Sequence, residues 1–558
     1  MQRSQSLLWL RVVSVALTTG AAPPPAVSGQ VGPGGPLSRI AVSPTAVPAA
    51  GVRRLSVDDA VRLALEQNLG VQIERLNPQI QDVAVAQARS FWSPQFTTGV
   101  SNNSGTTPST SALSSGLSTI TGSTASTSIG INQVLPTGAS YSFGWTTSRG
   151  TSTDIFNTFN PLLQSGASLN VTQPLLRNFK IDNIRQQVEI GRKQRDSADV
   201  QLHATIVQTT GSVKNAYWEL VFQIDNLAVQ RESLELAQQL LKENERRVQI
   251  GTMAPIDIIE AQSEVARNEE SVIVGAAAIK QAEDRLRALV FDPATPDFWN
   301  IGIEPVDTGR FKAASVDVET AVRNALDKRT DLRVARNSLA QNDVALRYFR
   351  NQVLPDVSAV ASFSSSSIGG IPVPTSANPL NSIEQAIPLQ LQRSFGSVLS
   401  DVFTSSYPTW TVGLSIAYPL GTSTQQANLT RAKLQYVQAQ TQLKNLELQV
   451  ALQVRDAARS VQTNEKRVES ARMARELAEK RLDAEQKKFA AGIETTFFVF
   501  QAQRDLAQAR TTEVLAISDC NKSLVNLEAV QEVPSSGGVA VTAAGAGAIQ
   551  TGTAIVRQ

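Results

Sequence analysis

The chain has 558 residues, a formal net charge of +2, charged residues at 18% and aromatic residues at 5%. A balance so near zero, with no dense Lys/Arg block, excludes nucleic-acid binding as its main task. A single cysteine, Cys520, and a single histidine, His203, exclude an intrachain disulfide, an N-terminal lipid-modified cysteine and any His/Cys metal set.

Residues 1–22 read as a secretory signal: Arg3, an apolar run from Leu7 to Leu17 interrupted by Arg11, then small residues at Gly20, Ala21 and Ala22. Residues 23–54 are rich in Pro, Gly, Ala and Val and read as an extended tether, and the Gly/Ala/Thr-rich residues 534–558 as a disordered tail. No stretch reaches the roughly 20 apolar residues of a spanning helix, so any membrane crossing falls to strands.

Between these ends lie two related halves, 55–310 and 311–533. The first opens Val57, Asp58, Asp59, Ala60, Val61, Arg62, Leu63, Ala64, Leu65, and the second Val318, Glu319, Thr320, Ala321, Val322, Arg323, Asn324, Ala325, Leu326. The correspondence continues without a gap to Trp92, Ser93, Pro94 against Val353, Leu354, Pro355. Further on, Gln173, Pro174, Leu175 parallel Tyr418, Pro419, Leu420, and 251–266 parallel 492–507. The period far exceeds that of a solenoid unit, so each copy reads as half of one closed architecture.

After each opening comes strand-like alternation. Phe96, Thr98 and Val100, then Tyr141, Phe143 and Trp145, then Leu169 and Val171 mark the first half. Val357, Ala359, Ala361 and Phe363, then Trp410, Val412, Leu414, Ile416 and Tyr418 mark the second. No Asp, Glu, Lys or Arg occurs in 94–148 or 402–430. One apolar and one small-polar face, without charge on either, fits lipid outside and water inside, with Trp410 and Tyr418 as interfacial aromatics. An entering and a leaving strand per half gives four, and an open four-stranded sheet would leave bare edges in lipid. The chain therefore has to oligomerise, and three copies would supply about twelve strands. The segment 128–145, turning at Pro136, Thr137 and Gly138, is a possible further hairpin that would leave both helical bodies on one side of the membrane.

The remainder is helical. Residues 425–491 contain no Gly or Pro, and Leu443, Leu446, Val450, Val454, Ala457, Val461, Val468, Ala471, Ala478, Leu482 and Phe489 recur at heptad-like spacing. That predicts a helix, or two end to end, about 100 Å long. Residues 181–249 match it in length, with Gly191 and Gly211 as candidate bends. The many Ala seam positions suit a curved wall of closely spaced helices. Each long helix stops at a glycine, Gly251 or Gly492, before a new helical pattern from Pro255 or Thr495, so each half ends in a long antiparallel helical hairpin.

The doubled openings at Val57 and Val318, the strand entries at Pro94 and Pro355, the Pro-Leu exits at Pro174 and Pro419 and the tip glycines Gly251 and Gly492 together resemble the TolC-like outer-membrane efflux proteins of Gram-negative bacteria, over 55–533. The resemblance implies an α+β membrane protein: a homotrimer whose outer-membrane β-barrel, set in outer-membrane lipid, continues into a long periplasmic α-helical barrel. It also implies an exit duct of a tripartite efflux or type I secretion system, coupled through a periplasmic adaptor (membrane fusion) protein to an inner-membrane pump. By position it implicates Gly251, Thr252, Met253, Gly492 and Ile493 as adaptor-docking tips, and Asp257, Glu260, Phe489, Glu494, Phe498 and Gln501 as candidates for the periplasmic aperture.

The chain departs from the family at the constriction. Phe498 and Gln501 stand where well-known members carry two aspartates one turn apart, and Glu494 where they carry a basic tip residue. Asp257 and Glu260, at i and i+3, are an alternative acidic source or a solvated face. Phe497, Phe498 and Phe500 form an apolar gate or pack between helices.

No nucleophile elbow, phosphate loop or dinucleotide fingerprint occurs in a strand-to-helix context, and the carboxylates lie on helix faces beside Lys and Arg. The chain therefore reads as no enzyme, with no cofactor. A periplasmic coiled-coil adaptor or structural scaffold is the alternative, and it leaves the uncharged strands without a role.

Overall fold

The computed structural model describes residues 52–109, 118–154, 157–295, 298–307, 316–373, 392–421 and 423–534. The signal, the tether up to residue 51 and the tail beyond 534 lie outside the described residues. The expected tether ends earlier than 54, because Arg53–Leu55 (β1) pairs in parallel with Ile303–Pro305. The Tyr217 hydroxyl donates to the Leu55 carbonyl at 3.1 Å and accepts from the Asp307 amide at 3.0 Å. Burial of that phenol pushes its pKa up to about 12.

The first half then runs Val57–Gln67 (α1), Leu69–Ser90 (α2), four strands, Asn183–Gln249 (α3) and Ile256–Val290 (α4). After Ile303–Pro305 (β6), the second runs Val318–Lys328 (α5), Thr330–Gln352 (α6), two strands with a short helix between them, Thr424–Ala490 (α8) and Thr496–Val530 (α9). Helix lengths correspond closely, at 11, 22, 67 and 35 residues against 11, 23, 67 and 35. Side-chain oxygens open both short helices, Ser56 accepting from the Asp59 amide and Asp317 from the Glu319 amide.

The long helix α3 passes unbroken through both expected bend glycines. An added Cβ at Gly191 would lie 3.3 Å from Val85, and one at Gly211 3.8 Å from Ala529, so both serve close helix approach. In α8 the heptad positions Val450, Val454, Ala457, Val461, Val468, Ala471, Leu482 and Phe489 are buried.

The strands are Gln95–Pro108 (β2), Thr119–Val134 (β3), Ser140–Ser152 (β4), Phe159–Pro174 (β5), Asp356–Pro372 (β7) and Pro408–Ala417 (β8). They form one antiparallel sheet in the order β2-β3-β4-β5-β7-β8. Four strands rather than two come from the first half, because the segment around Pro136–Gly138 does fold as a hairpin: Leu135 and Ala139 close it with a 2.7 Å backbone bond, and Gly138 takes φ +85°. The four-strand count thus becomes six. Phe395–Phe403 (α7), an element the sequence pattern does not announce, lies across β7 and β5.

Candidate functional site

Two regions carry the functional geometry: the sheet and the hairpin tips. In the sheet, register sorts residues onto faces without ambiguity. Phe96 is opposite Ile131, Ile131 opposite Phe143, Phe143 opposite Leu169, Leu169 opposite Phe363 and Phe363 opposite Trp410. This face continues with Val100, Ile129, Tyr141, Trp145, Val171, Val357, Val412, Leu414 and Ile416. The other face is Gly, Ser, Thr and Asn at most positions, as in the row Thr97, Gly130, Gly144, Ser168, Ser364, Thr409. Its one ionisable residue is Asp356, at the first position of β7. Trp410, Val412, Leu414 and Ile416 are 58–73% exposed although apolar, which a water-facing sheet would not tolerate.

Among the described residues both lateral edges are open. On the sheet they are β2 and β8. In the helical wall α2 packs on α3, α3 on α6 and α6 on α8, while further along α4 packs on α3, α3 on α9 and α9 on α8. Helices α2 and α4 therefore bound one side and α8 the other. Two of these three carry an apolar stripe with no partner among the described residues: Ile73, Leu76, Ile80 and Val83 on α2, Leu434, Val437, Leu448 and Leu452 on α8.

At the tips, Gly251 and Gly492 take φ +78° and +73°. Each closes its helix identically: the Gly251 amide bonds Val248 O and the Thr252 amide Arg247 O, while the Gly492 amide bonds Phe489 O and the Ile493 amide Lys488 O. Two matching turns result, with Thr252 and Ile493 at their exposed ends. Met253 instead packs partly against the tip core of Leu240, Ala261, Leu482, Phe489, Val499, Phe500, Ala502 and Leu506.

The aperture candidates separate. Phe489 is 4% exposed and held by the Arg247 guanidinium 4.1 Å from its ring centre, so it seals the seam between helices instead of lining an opening. Phe500 is likewise buried, whereas Phe497 and Phe498 are exposed and stack edge to face, 5.7 Å between centroids. Gln501 donates to Asp505 at 2.8 Å, and Asp505 also pairs with Arg481 at 2.7 Å. Asp257 is half-buried and Glu260 exposed. Lys488 bonds Glu485 at 3.0 Å and lies 3.7 Å from Glu494, and these carboxylates, Glu485 first, hold its ammonium above the ordinary lysine range. His203 lies 3.2 Å from Glu532 on a half-exposed surface, and Cys520 is buried in α9.

One tip feature escaped the sequence. Glu264 on α4, its side chain 7% exposed, accepts from two of the Arg504 guanidinium nitrogens on α9, Nε at 3.1 Å and Nη2 at 2.7 Å, and from Arg267 at 3.1 Å. This fork is a bidentate link between the second helices of the two hairpins.

The model of one family, outer membrane efflux protein, matches the chain twice, over residues 60–290 and 321–530. The chain belongs to the outer membrane efflux protein family. Its members act in transport, and their place is the outer membrane of Gram-negative bacteria. Solved structures agree in fold. The Campylobacter jejuni CmeC outer membrane channel superposes with a TM-score of 0.59 at 13% identity, covering 85% of each chain. VceC from Vibrio cholerae gives 0.57 at 17% identity, over 86% of this chain and 96% of that one. The open state of the Neisseria gonorrhoeae MtrE outer membrane channel gives 0.56 at 15% identity, over 85% and 89%. No match to a curated protein sequence was found. Among the described residues no helix of this family member is long and apolar enough to span a bilayer.

Proposed function

We propose that the protein is a passive exit duct, a homotrimer whose sheets close into one barrel in outer-membrane lipid and whose helices close into a periplasmic tube. The observation that carries this reading is the pair of open edges: β2 with α2 and α4 on one side, β8 with α8 on the other. A surface that is different on its two sides associates head to tail, and a ring is the arrangement that leaves no edge in lipid. With three copies, the number the family resemblance implies, six strands per chain give eighteen. The two halves, with their corresponding helices, are products of an internal duplication.

The matched turns at Gly251 and Gly492 are the docking points for a periplasmic adaptor, with Thr252 and Ile493 at the contact. The adaptor couples the duct to an inner-membrane pump, and transport runs outward. The aperture is lined by Phe498, Glu494, Asp257 and Glu260, and Gln501 braces it through Asp505. Selectivity at the barrel is weak because its water face is uncharged apart from Asp356.

Single-particle imaging of the detergent-extracted protein tests the architecture. A hollow three-fold tube with a β end and a helical shaft about 100 Å long supports it, and a monomer or a solid rod defeats it. Cysteine pairs that crosslink neighbouring tips at Phe498 are expected to stop export. Unchanged export with crosslinks demonstrated would move the gate elsewhere.

A further inference from the structure

Helix α7 lies on the apolar face of the sheet. Gly369 shares parity on β7 with Val357, Ala361 and Phe363, and a Cβ there would sit 2.5 Å from Val398 Cγ2 and 2.9 Å from Arg393 Cβ. Val398 and Val402 are buried against the strands. Beneath the helix the face changes character: Ser165, Ser365 and Ser367, all 4% exposed or less, replace the valines, leucines and aromatics found nearer the helical body. Bare hydroxyls are costly on a lipid-facing wall. The helix covers them: Ser367 donates to Asp401 at 2.9 Å while Asp401 pairs with Arg393, Ser165 accepts from Trp145 Nε1 at 3.0 Å, and Ser365 is buried without a hydrogen-bond partner.

The level of α7 follows from strand geometry. β7 leaves α6 at Asp356, and Ser367 lies eleven residues further on. At 3.3 Å per residue and a tilt of about 40°, that places Ser367 about 28 Å higher, close to the roughly 25 Å height of an apolar band. The register sets Arg149 two strands across from Gly369, through Leu163 opposite both, which at that tilt keeps it within about 6 Å of the same level, and it too lies on this face and is exposed. On its outward side α7 presents Phe403, 68% exposed, and the chain continues through Tyr407 at 57% to Trp410 at 71%. Trp410 belongs to the apolar band itself, so the aromatic edge of α7 is continuous with it.

We propose that α7 is an interfacial helix mounted on the outside of the barrel, with Phe403 and Tyr407 seated at the headgroup–acyl boundary of the outer leaflet and Arg149 beside its headgroups. The occupant is lipid, because the patch continues the lipid band, combines aromatics with a basic residue, and stands at the height where the band ends. The helix shields a weak polar patch of the wall and fixes its depth. The inference rests on the barrel reading.

Three single-cysteine reporters in a Cys520→Ser background test it, each labelled with a small fluorophore after reconstitution into phosphatidylcholine vesicles: Phe403→Cys on α7, Leu414→Cys in the apolar band and Ser366→Cys on the water face. Lipid brominated near the carbonyls is expected to quench the Phe403 label by about half and more than lipid brominated near the chain ends. The Leu414 label should be quenched by chain brominated lipid, and the Ser366 label by aqueous iodide alone. If Leu414 escapes lipid quenching, the barrel reading fails. If Leu414 behaves as stated but Phe403 answers only to iodide, or to neither quencher because protein covers it, the proposal for α7 fails alone.

Discussion

Leu414 and Ser415 are neighbours on β8 that face opposite ways, Leu414 across from Ala359 and Ser415 across from Ser358. Leu414 stands within the row Trp410, Val412, Leu414, Ile416, inside the apolar band. If that face meets lipid, Leu414→Arg carries a guanidinium into hydrocarbon at a cost of about 2–4 kcal/mol per chain at the midplane. That is roughly a 30- to 700-fold fall in the folded-to-unfolded ratio. Ser415→Arg adds its charge on the water side and should stay within about 0.5 kcal/mol of the parent. Urea titration of folding into phospholipid bilayers, read by the gel-mobility change on heating, separates the two. Equal penalties, or a larger one for Ser415→Arg, would reverse the assignment of faces and refute the reasoning. In planar bilayers Ser415→Arg should also shift conduction toward anions, since Asp356 is the one charge on that face.

The Glu264–Arg504 fork should be measurable by a double-mutant cycle. Glu264 is buried but keeps Arg267, and Arg504 is 45% exposed, so after discounting for solvent at that end the coupling is about 1–2 kcal/mol. Thermal unfolding of Arg504→Ala, Glu264→Gln and the pair reads it, and a coupling under about 0.5 kcal/mol would show the link to be incidental. Gly492→Val should destabilise the tip by about 1–2 kcal/mol through its positive φ alone, since nothing lies within 4 Å of an added Cβ. Hydrogen exchange near Ile493 should quicken, while Gly492→Asn behaves like the parent; equal exchange in all three would reject a strained turn. At Glu219, burial pushes the carboxyl up, but the bonds from Lys522 and Gln223 outweigh it and hold the pKa below the ordinary 4.5. A depressed carboxyl stabilises above its unfolded pKa and loses that contribution as pH falls through the folded one. The melting temperature of Lys522→Met relative to the parent should therefore be lowered evenly from pH 7 to about pH 5, with the gap closing only below 4.5. A gap that widens in acid would contradict the pairing.

What the sequence disclosed followed from local rules. The tip glycines Gly251 and Gly492 were legible because a left-handed helix end needs glycine, and α8 because its seam repeats without a break. Strand parity was legible for the same reason, as at Trp410 to Ile416. The added hairpin left only a turn signal at Pro136 to Gly138, too weak to settle the count of strands. Helix α7 was hidden because its nine residues sit inside a polar, strand-rich region, and its apolar spacing at Phe395, Val398, Leu399 and Val402 is too brief to stand out. The fork of Glu264 and Arg504 joins residues 240 positions apart, and no local pattern encodes such a partnership. Phe489 shows the same limit: a tip position suggested an opening, but packing against Arg247 assigned it to the seam.

The six-stranded sheet has one more consequence, for the bore of the duct. Strands 4.8 Å apart and tilted about 40° each occupy about 6 Å of circumference, so six span about 38 Å of arc. The four helices α2, α3, α6 and α8, at 8–10 Å apiece, span about 32–40 Å. Four strands would have covered only about 25 Å, forcing the shaft to taper where it enters the membrane. If three copies close as proposed, the extra hairpin gives the two walls one calibre, cargo rising through the shaft would meet no step at the membrane, and resistance to flow would concentrate at the distal tips.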